Sequence, residues 1–339
     1  MLVGSLAPGK CRRFFFMYQY DVETFMCACD RKGLAAKTMK SYEQTLRLFG
    51  LFLAERGITQ TEEIRHPHIE AYIDSVRSRG KYTVCAVQEP SSPNYPERRK
   101  DYGKRVSPVT INNYLRNMKA FFNWCVREEL ISKNPIKPDD TIKVERKPLA
   151  FVTDAEFKNL LACLDTSKFS EYRDSVIIQT LLDTGMRCGE CLAVTEKNLN
   201  LQKLYIDLPA EITKGKKGRC VFFSARTGKA LKRWLQYKDR YRDSEYLFCT
   251  NEGKPLQVSN FEANIRKYAQ RIGLKEIHPH CFRNNFAKRF LMNGGDIYTL
   301  SRLLGHSSVI VTERAYLDVD TDDLHSLYQK YSPMENMGV

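Results

Sequence analysis

Hydrophobic residues recur at helical spacing through most of residues 17–135. The clearest stripe, within residues 37–56, steps by three and four positions: Met39, Tyr42, Leu46, Phe49 and Leu53. The same spacing appears at 17–29 and 69–76. It returns after Ser107-Pro108, where Ser suits an N-cap and Pro the first helical position. The pattern predicts four amphipathic helices that share one core.

Two stretches interrupt this pattern. Residues 82–106 carry Pro90, Pro93 and Pro96 among polar and basic residues, which predicts a flexible insertion within the helical unit. Residues 136–150 are rich in Pro, Lys and Asp, which is typical of an extended interdomain linker. Residues 1–16 show no periodicity and are expected to be a loose or partly packed N-terminal extension.

The second half of the chain, residues 151–332, mixes helical and strand patterns. Thr153 and Glu156 form a capping box, and a buried helix at 176–182 is expected to stop at Gly185. Short strands are predicted at 204–208, 211–214 and 219–223, with a Gly-Lys-Lys-Gly turn between the last two. Further helices are predicted at 231–235 and 261–268, with a last short helix after the acidic stretch 318–323 and a tail at 333–339.

The stretch 278–316 concentrates the reactive side chains. It reads as helical because its aromatic residues recur every four positions: Phe282, Phe286 and Phe290. His280 and Arg283 are three residues apart and share a helix face. Gly305 is expected to end a second short helix, so His306 stands before the next helix, which carries Tyr316. Arg binds phosphate as a rigid fork, His donates or moves protons, and Tyr offers a hydroxyl nucleophile.

These residues stand in the motifs His-x-x-Arg, Leu-Gly-His and a Tyr ten residues after that His. The set resembles the tyrosine recombinase (phage integrase) family. Two upstream stretches are similar to the rest of the family signature, Thr-Gly-Met-Arg-Cys-Gly-Glu at 184–190 and Ile-Thr-Lys-Gly-Lys-Lys-Gly-Arg at 212–219. Over residues 17–332 the resemblance implies a mainly α, two-domain protein. A four-helix core-binding (SAM-like) domain at 17–135 precedes an α+β catalytic domain with a small antiparallel sheet at 151–332.

The resemblance implies that Arg187 and Arg283 bind the scissile phosphate and that Tyr316 attacks it. The product would be a 3′-phosphotyrosyl link and a free 5′-hydroxyl. Because the energy of the bond is retained, no ATP or other cofactor is needed. An isolated Arg is more often part of a surface salt bridge, and any of the 18 Tyr could simply pack. The surrounding motifs favour the catalytic interpretation.

Lys214 is the residue that the resemblance assigns to protonate the leaving 5′-oxygen, with Lys216 and Lys217 as competitors on the same turn. His280 would accept the Tyr proton or steady the phosphate. His306 would add a hydrogen bond to the non-bridging oxygens. Hairpin lysines are usually only solvated, and an isolated His is usually structural.

Glu190 and Asn284 are expected to support the reactive residues. Glu190, one turn after Arg187, would hold Arg or His side chains in place. Many family members carry His directly after the second Arg, and Asn284 occupies that place here. An Asn can still bond a backbone group, so activity is expected to survive the difference.

The charge balance points to a polyanionic partner. Lys and Arg exceed Asp and Glu by 14, and both halves of the chain are basic. A soluble basic protein with a solvated surface would show the same excess. Six basic residues are candidates for DNA contact: Lys37, Lys40, Arg116, Lys119, Lys216 and Lys217.

Cysteine and histidine patterns indicate neither a metal site nor disulfides. The 11 cysteines are scattered, and no signal peptide is recognised, so a cytoplasmic location with free thiols is expected. No apolar stretch approaches the length of a membrane span. The pair Cys188 and Cys191 has no second C-x-x-C and is expected to pack in the core. His66-Pro-His68 lacks carboxylate partners at helical spacing, so no metal is predicted.

The prediction is a site-specific DNA recombinase that acts through a Holliday junction as a tetramer on DNA. The extension 1–16 and the insertion 82–106 depart from the compact housekeeping type and favour an integrase of a mobile element. A Xer-like enzyme that resolves chromosome or plasmid dimers also fits the motifs. A type IB topoisomerase and a non-catalytic DNA-binding regulator are rival interpretations from different functional classes. The sequence leaves open the DNA site, the direction of recombination and the need for an excision factor or host DNA-bending protein.

Overall fold

The computed structural model describes residues 10–84, 99–144, 151–274 and 277–316, together with 325, 328 and 329; at 10–16 and 314–316 it describes the backbone alone. The chain divides into two compact units, Met1–Arg146 and Lys147–Val339, called here the helical unit and the catalytic unit. The predicted last helix and most of the predicted insertion lie outside the described residues. Among the helices that are described, none has the length and apolar character that a membrane crossing requires.

Four helices form the helical unit: α1 Lys10–Arg31, α2 Ala36–Ala54, α3 His66–Arg79 and α4 Pro108–Arg127. Ser107 caps α4 as predicted, because its hydroxyl accepts a hydrogen bond from the Thr110 backbone N–H. The start of α1 differs from the prediction by seven residues. The segment 10–16 contains no Gly or Pro, so the helix continues upstream although its apolar pattern is not periodic.

The interior of the helical unit is built from aromatic rings. Phe49 packs on Tyr72 with ring centroids 4.9 Å apart, and Phe121 lies between Phe25 and Phe122 at 5.5 and 5.2 Å. The predicted stripe on α2 faces this core, since Leu46, Phe49 and Leu53 are all buried.

The two ends of the predicted insertion are tied together. The Lys81 N–H donates to the Lys104 carbonyl at 2.8 Å, and the Gly103 N–H donates to the Lys81 carbonyl at 2.9 Å. Gly80 makes this closure possible. Its φ is +79°, and a Cβ there would stand 2.4 Å from the Gly103 oxygen. Helices α3 and α4 thus both contribute to the core of one unit despite the long connection between them.

The catalytic unit contains eight described helices and one three-stranded antiparallel sheet of order β1-β2-β3. In chain order the elements are α5 Asp154–Ala162, α6 Phe169–Thr184, α7 Cys188–Ala193, β1 Leu199–Asn200, β2 Tyr205–Leu208, β3 Arg219–Phe222, α8 Ala225–Tyr241, α9 Val258–Arg271, α10 Pro279–Met292, α11 Ile297–Leu304 and α12 Val309–Tyr316. The capping box of Thr153 and Glu156 is present at the start of α5.

The sheet corrects one predicted strand. Residues 211–214 do not form a strand. After Pro209 the chain makes a short 3₁₀ turn, Ala210–Ile212, and the Thr213 hydroxyl then donates to the Lys217 carbonyl and accepts from the Lys217 N–H. These local bonds replace a strand ladder. Strand β3 pairs instead with β2, with Leu208 opposite Arg219.

Helix α6 runs through the core of the catalytic unit and is buried along most of its length. It stops at Gly185, which adopts a left-handed conformation with φ +63°. A Cβ at this position would lie 2.3 Å from Phe286 Cδ1, on α10. Two separate constraints, the left-handed backbone and the close approach of Phe286, therefore require glycine at position 185, two residues before Arg187.

Candidate active site

The turn after α6 places Arg187 at the start of α7. Arg187 is the N-cap residue and lies before the helix, not inside it as the sequence suggested. Both its backbone N–H and its guanidinium Nη1 donate to Glu190, each at 2.9 Å. Glu190 is buried, whereas the Arg187 side chain is about one third exposed. The carboxylate thus fixes the base of a guanidinium whose outer part reaches solvent.

Arg283 is almost completely buried on α10. Its Nη1 donates to the Gly185 carbonyl at 2.7 Å, and its Nη2 donates to the Leu304 carbonyl at 2.8 Å. The same Nη2 lies 2.9 Å from Nε2 of His306. One guanidinium therefore joins the ends of α6 and α11 to the imidazole that follows α11.

His306 stands where the sequence places it, between α11 and α12. Gly305 ends α11 in a left-handed conformation, and the His306 N–H donates to the Ser301 carbonyl at 3.0 Å. On the far side of the ring, Nδ1 lies 2.7 Å from the Thr312 hydroxyl. Burial is the main reason that the pKa of His306 falls to about 4, and the nearby cation of Arg283 adds to it.

His280 and Asn284 lie on α10 beside Arg283. His280 is exposed over much of its surface, but partial removal of its ring from solvent lowers the pKa of the imidazole, with further lowering by Arg283, His278 and Arg187. Asn284 is buried. The charges of Arg283 and Arg187 lower the pKa of both His280 and His306, so these four side chains lie in one neighbourhood.

Arg219 was not singled out from the sequence, although it belongs to this network. Its Nη1 and Nη2 donate to the two Glu190 oxygens at 3.1 and 2.6 Å, and its Nε donates to the Leu303 carbonyl at 3.3 Å. It packs so closely on Gly305 that a Cβ there would stand 2.8 Å from Arg219 Cδ. Two signals were available, because Arg219 stands at the end of the motif 212–219 and shares the inward register of β3 with buried Val221.

Glu190 is therefore shared between two guanidiniums. Burial alone would raise the pKa of this carboxyl, but the hydrogen bonds from Arg219 and Arg187 outweigh it and hold the pKa below its usual value. The ionised carboxylate can accept four bonds, and it accepts them from three side-chain nitrogens and one backbone N–H.

Lys214, Lys216 and Lys217 lie on the loop between β2 and β3, and all three are exposed. Lys214 is thus a loop residue and not the end of a strand. The loop ends where β3 starts, at Arg219, so its last residues lie next to the hydrogen bonds that Arg219 donates to Glu190.

Tyr316 is the last residue of α12. The placement of its phenol lies outside the described side chains. The backbone of α12 is positioned through Thr312, one turn earlier, which is fully buried and contacts His306.

The motifs that resembled metal ligands have structural partners. Cys191 is buried in the core of the catalytic unit, and Cys188 packs against that core. In the helical unit, Nδ1 of His68 accepts from the Arg65 N–H, and Nδ1 of His66 contacts the Pro135 carbonyl. The expectation that His66 lacks a carboxylate at helical spacing is wrong, because Glu70 lies 3.4 Å from its Nε2, one turn along α3. Within the ranges given above, no group of three or more His, Cys, Asp or Glu is arranged to hold a metal ion.

Four basic candidates in the helical unit are exposed on two adjacent helices. Lys37 and Lys40 lie on α2, and Arg116 and Lys119 lie on α4. Asn117 connects the helices at this point, because its amide donates to Ser41 and Thr45. The four cations therefore flank one buried hydrogen-bonded contact.

Matches to the profiles of known sequence families show which family the chain belongs to. Residues 150–322 match the profile of the phage integrase family, and residues 29–87 match that of the phage integrase N-terminal SAM-like domain. The chain belongs to the phage integrase family. It is thereby a tyrosine-type site-specific recombinase, and the expected two-domain, mostly helical fold with a small antiparallel sheet is confirmed.

Relatives and solved structures extend the match over most of the chain. Tyrosine recombinase XerC of Thermodesulfovibrio yellowstonii is 30% identical over 68% of this chain and 78% of its own. XerC of Bacillus subtilis is 25% identical over 89% of this chain and 92% of its own. The structure of the Tn1549 transposon integrase in complex with a circular intermediate DNA has a TM-score of 0.72 at 16% identity, covering 93% of this chain and 99% of that one. This last likeness concerns the fold.

Proposed function

We propose that this recombinase cuts and rejoins double-stranded DNA at specific sites through a 3′-phosphotyrosyl intermediate on Tyr316. One observation carries the proposal. Two hydrogen-bonded clusters meet at the end of α11, because Arg219, which shares Glu190 with Arg187, donates to the Leu303 carbonyl and Arg283, which contacts His306, donates to the Leu304 carbonyl. The helix that follows them ends at Tyr316.

The proposed reaction assigns a role to each reactive side chain. Arg187 and Arg283 bind the non-bridging oxygens of the scissile phosphate, together with His306, and stabilise the added negative charge. The Tyr316 oxygen forms a bond to phosphorus while the bond to the 5′-oxygen breaks. His280 takes the phenol proton, and Lys214 gives a proton to the leaving 5′-oxygen. Attack by a 5′-hydroxyl on the phosphotyrosine then reverses these steps and rejoins the DNA.

Glu190, Arg219 and Asn284 support these groups without touching the substrate. Glu190 orients Arg187, and Arg219 holds Glu190 and the Leu-Gly-His segment together. Asn284 stands next to Arg283 in the buried part of α10.

Duplex DNA is the proposed partner of both units. The helical unit, with a domain proposed to span 17–135, would bind the backbone through Lys37, Lys40, Arg116 and Lys119, and the catalytic domain at 151–332 through Lys216 and Lys217. Similar folds have been solved as the Tn1549 integrase with circular intermediate DNA, XerH bound to difH and a lambda integrase dimer on a core site. Four protomers are proposed to exchange strands through a Holliday junction, with an excision factor or host DNA-bending protein as a further partner.

The biological role proposed first is integration and excision of a mobile element, which the fold likeness to the Tn1549 integrase supports. Dimer resolution is the second candidate, because several sequence relatives are XerC proteins. Two assays in cells distinguish them, one on a plasmid dimer that carries two copies of the recombination site and one on a circular donor that carries a single copy. Conversion of dimers to monomers favours a resolution enzyme, and insertion of a circular donor into a target favours an integrase.

Covalent trapping tests the proposed chemistry. Duplexes bound by the protein are first selected from a random pool, then nicked beside the cleavage position so that the cut fragment diffuses away. We expect wild-type protein and a Tyr298→Phe control to shift to a DNA-bound species on denaturing gels, and Tyr316→Phe to give none. Retained adduct in Tyr316→Phe would falsify the assignment of the nucleophile. Relaxation of supercoiled plasmid that lacks the selected site would indicate a topoisomerase instead.

A further inference from the structure

The ring of His306 is held by two side chains whose chemistry fixes the position of its proton. Arg283 Nη2 lies 2.9 Å from Nε2, and Thr312 Oγ1 lies 2.7 Å from Nδ1. A guanidinium only donates hydrogen bonds, so Nε2 must accept the bond from Arg283. In the neutral ring the proton therefore sits on Nδ1, which donates to Thr312 Oγ1.

Thr312 makes this contact from a buried position. Its side chain is 0% exposed, within α12. The backbone of His306 is fixed by the left-handed Gly305 and by the bond to the Ser301 carbonyl. Thr312 also precedes Tyr316 by four residues, which is about one helical turn. The contact therefore ties the imidazole to α12 at a point one turn before Tyr316.

We propose that Thr312 is a positioning residue for strand cleavage, whose hydroxyl holds the His306 ring in its Nδ1–H form before DNA binds and couples that ring to α12. The catalytic consequence rests on the proposed function. The tautomer itself is a property of the DNA-free protein and can be measured without any reaction.

The hydroxyl of Thr312 also suits the state in which a phosphate is bound. A phosphate oxygen replaces His306 as an acceptor for Arg283, and Nε2 then needs a proton to donate to the same phosphate. In that exchange Nδ1 releases its proton to solvent and Nε2 takes one from solvent, so the ring stays neutral. Thr312 turns its own hydroxyl hydrogen toward Nδ1, because a hydroxyl both accepts and donates.

The surroundings of the ring keep it neutral, as this exchange requires. Arg283 faces it from α10, Arg187 from the start of α7 and Arg219 from β3, with His280 nearby on α10. Burial and these positive groups together place the pKa of His306 at about 4. Near neutral pH, Thr312 together with Arg283 therefore determines which nitrogen carries the proton, whereas the charge of the ring stays zero.

Nuclear magnetic resonance observes the tautomer directly. The full-length chain has six histidines, so nitrogen-15 labelling of His gives few signals, and His306→Gln identifies that of His306. In DNA-free protein near neutral pH, we expect one Nδ1–H form in wild type and in Thr312→Ser. We expect a mixture of both tautomers in Thr312→Val, because the buried Nδ1–H loses its acceptor and that cost offsets the bond that Nε2 accepts from Arg283.

A matched control removes a different buried hydroxyl. Thr180 is fully buried in α6, and its hydroxyl donates only to the Val176 carbonyl one turn earlier. Thr180→Val should leave the His306 signal unchanged. This variant separates the specific contact from the general effect of losing a hydroxyl in the core.

Single-turnover cleavage of the selected nicked DNA gives the second measurement. We expect Thr312→Val to cleave roughly 100-fold more slowly with little change in DNA affinity, because a displaced catalytic group costs about that factor. Thr312→Ser should recover most of the rate. A pure Nδ1–H ring in Thr312→Val, cleavage by it at the wild-type rate, or a Thr312→Ser protein as impaired as Thr312→Val each overturns the proposal. If wild-type protein cleaves no selected site, the proposed function fails, and the tautomer measurement alone decides the role of Thr312 in holding His306.

Discussion

The two units of the recombinase bury different kinds of side chain. In the described part of the helical unit, the buried polar residues are uncharged: Thr45, Thr61 and Asn117. The described part of the catalytic unit buries six charged residues: Glu171, Arg173, Asp174, Glu190, Lys238 and Arg283. A buried charge is costly unless it is paired and hydrogen-bonded, and each of these six has such partners.

This contrast shows what each unit has to preserve. In the helical unit, the aromatic core packs four helices together without any buried charged side chain among the described residues. The catalytic unit must hold cations close together for an anionic substrate, and it does so by surrounding them with carbonyls and one shared carboxylate. The pairs Arg173–Asp174 and Arg271–Glu171 use the same bonds away from the site, so they serve as controls for purely structural charge.

The largest effect is expected when the fork of Arg283 is replaced by a single ammonium. Arg283→Lys keeps the positive charge but cannot reach the Gly185 and Leu304 carbonyls and the phosphate together. We expect single-turnover cleavage to fall about 1000-fold. Arg173→Lys, which alters an equally buried fork, should lower stability but change the cleavage rate little. Equal loss of cleavage in both variants would remove the distinction between catalytic and structural charge.

A large effect of another kind is expected in the helical unit. Phe121→Ala removes the ring at the centre of its aromatic core and should lower the free energy of unfolding by about 3–5 kcal/mol. Each unit has one Trp, Trp124 or Trp234, and a Trp234→Phe background isolates the fluorescence of Trp124. The urea midpoint reported by Trp124 should fall sharply. An unchanged midpoint would mean that this core does not stabilise the unit.

Neutralising the shared carboxylate should have a smaller effect on cleavage. Glu190→Gln keeps the shape but weakens the bonds to Arg187 and Arg219, and we expect cleavage to slow about 10- to 100-fold. Glu171→Gln is the matched variant, since Glu171 is a buried acceptor for Arg271. It should reduce the urea midpoint and leave cleavage near the wild-type rate. The reverse pattern would place the essential carboxylate elsewhere.

Acid should destabilise the catalytic unit before the helical unit. Burial and nearby cations lower the pKa of His306 to about 4, so its contribution to stability is lost as pH falls from about 6.5 toward that value. In the helical unit, burial raises the pKa of Asp21 despite the bond from Thr61. Its protonation favours the folded state, so its contribution grows as pH falls.

The two Trp residues report this difference separately. Urea midpoints followed by Trp234 should fall between pH values of about 6.5 and 4, and His306→Gln should flatten that decline. Midpoints followed by Trp124 should change less. An earlier acid transition at Trp124 would show that buried charge does not set the pH response.

The smallest effect is expected from single surface cations. Lys40→Ala on α2 should weaken DNA binding a few-fold and reduce the dependence of log affinity on log salt by about one. Arg77→Ala removes an exposed cation of α3 that pairs with Asp74, and it should leave the salt dependence unchanged. Titration at several salt concentrations distinguishes the two. Equal slopes would remove Lys40 from the proposed DNA surface.

Much of the fold follows from local signals in the sequence. The stripes of α2 and α4, the Ser107 cap and the glycines at 185 and 305 act within a few residues, so spacing reveals them. The strand predicted at 211–214 failed because Pro209 and the Thr213 hydroxyl favour a tight turn over a ladder.

Contacts between distant residues could not be predicted in the same way. The motifs supply residue types, but Arg219 bonds Glu190 across 29 positions and Arg283 bonds Gly185 across 98. Spacing along the chain carries no information about such pairs. The local hints that Arg219 belonged to the site were its inward register on β3 and its place at the end of the motif 212–219.

The proposed mechanism depends on Arg187, Arg283 and His306 serving a nucleophile at the end of α12. Mass spectrometry of the peptide that remains attached to nicked DNA identifies the modified side chain itself. We expect one nucleotide-bearing residue, Tyr316. Attachment through Tyr298, Tyr328 or Tyr331 would refute the mechanism.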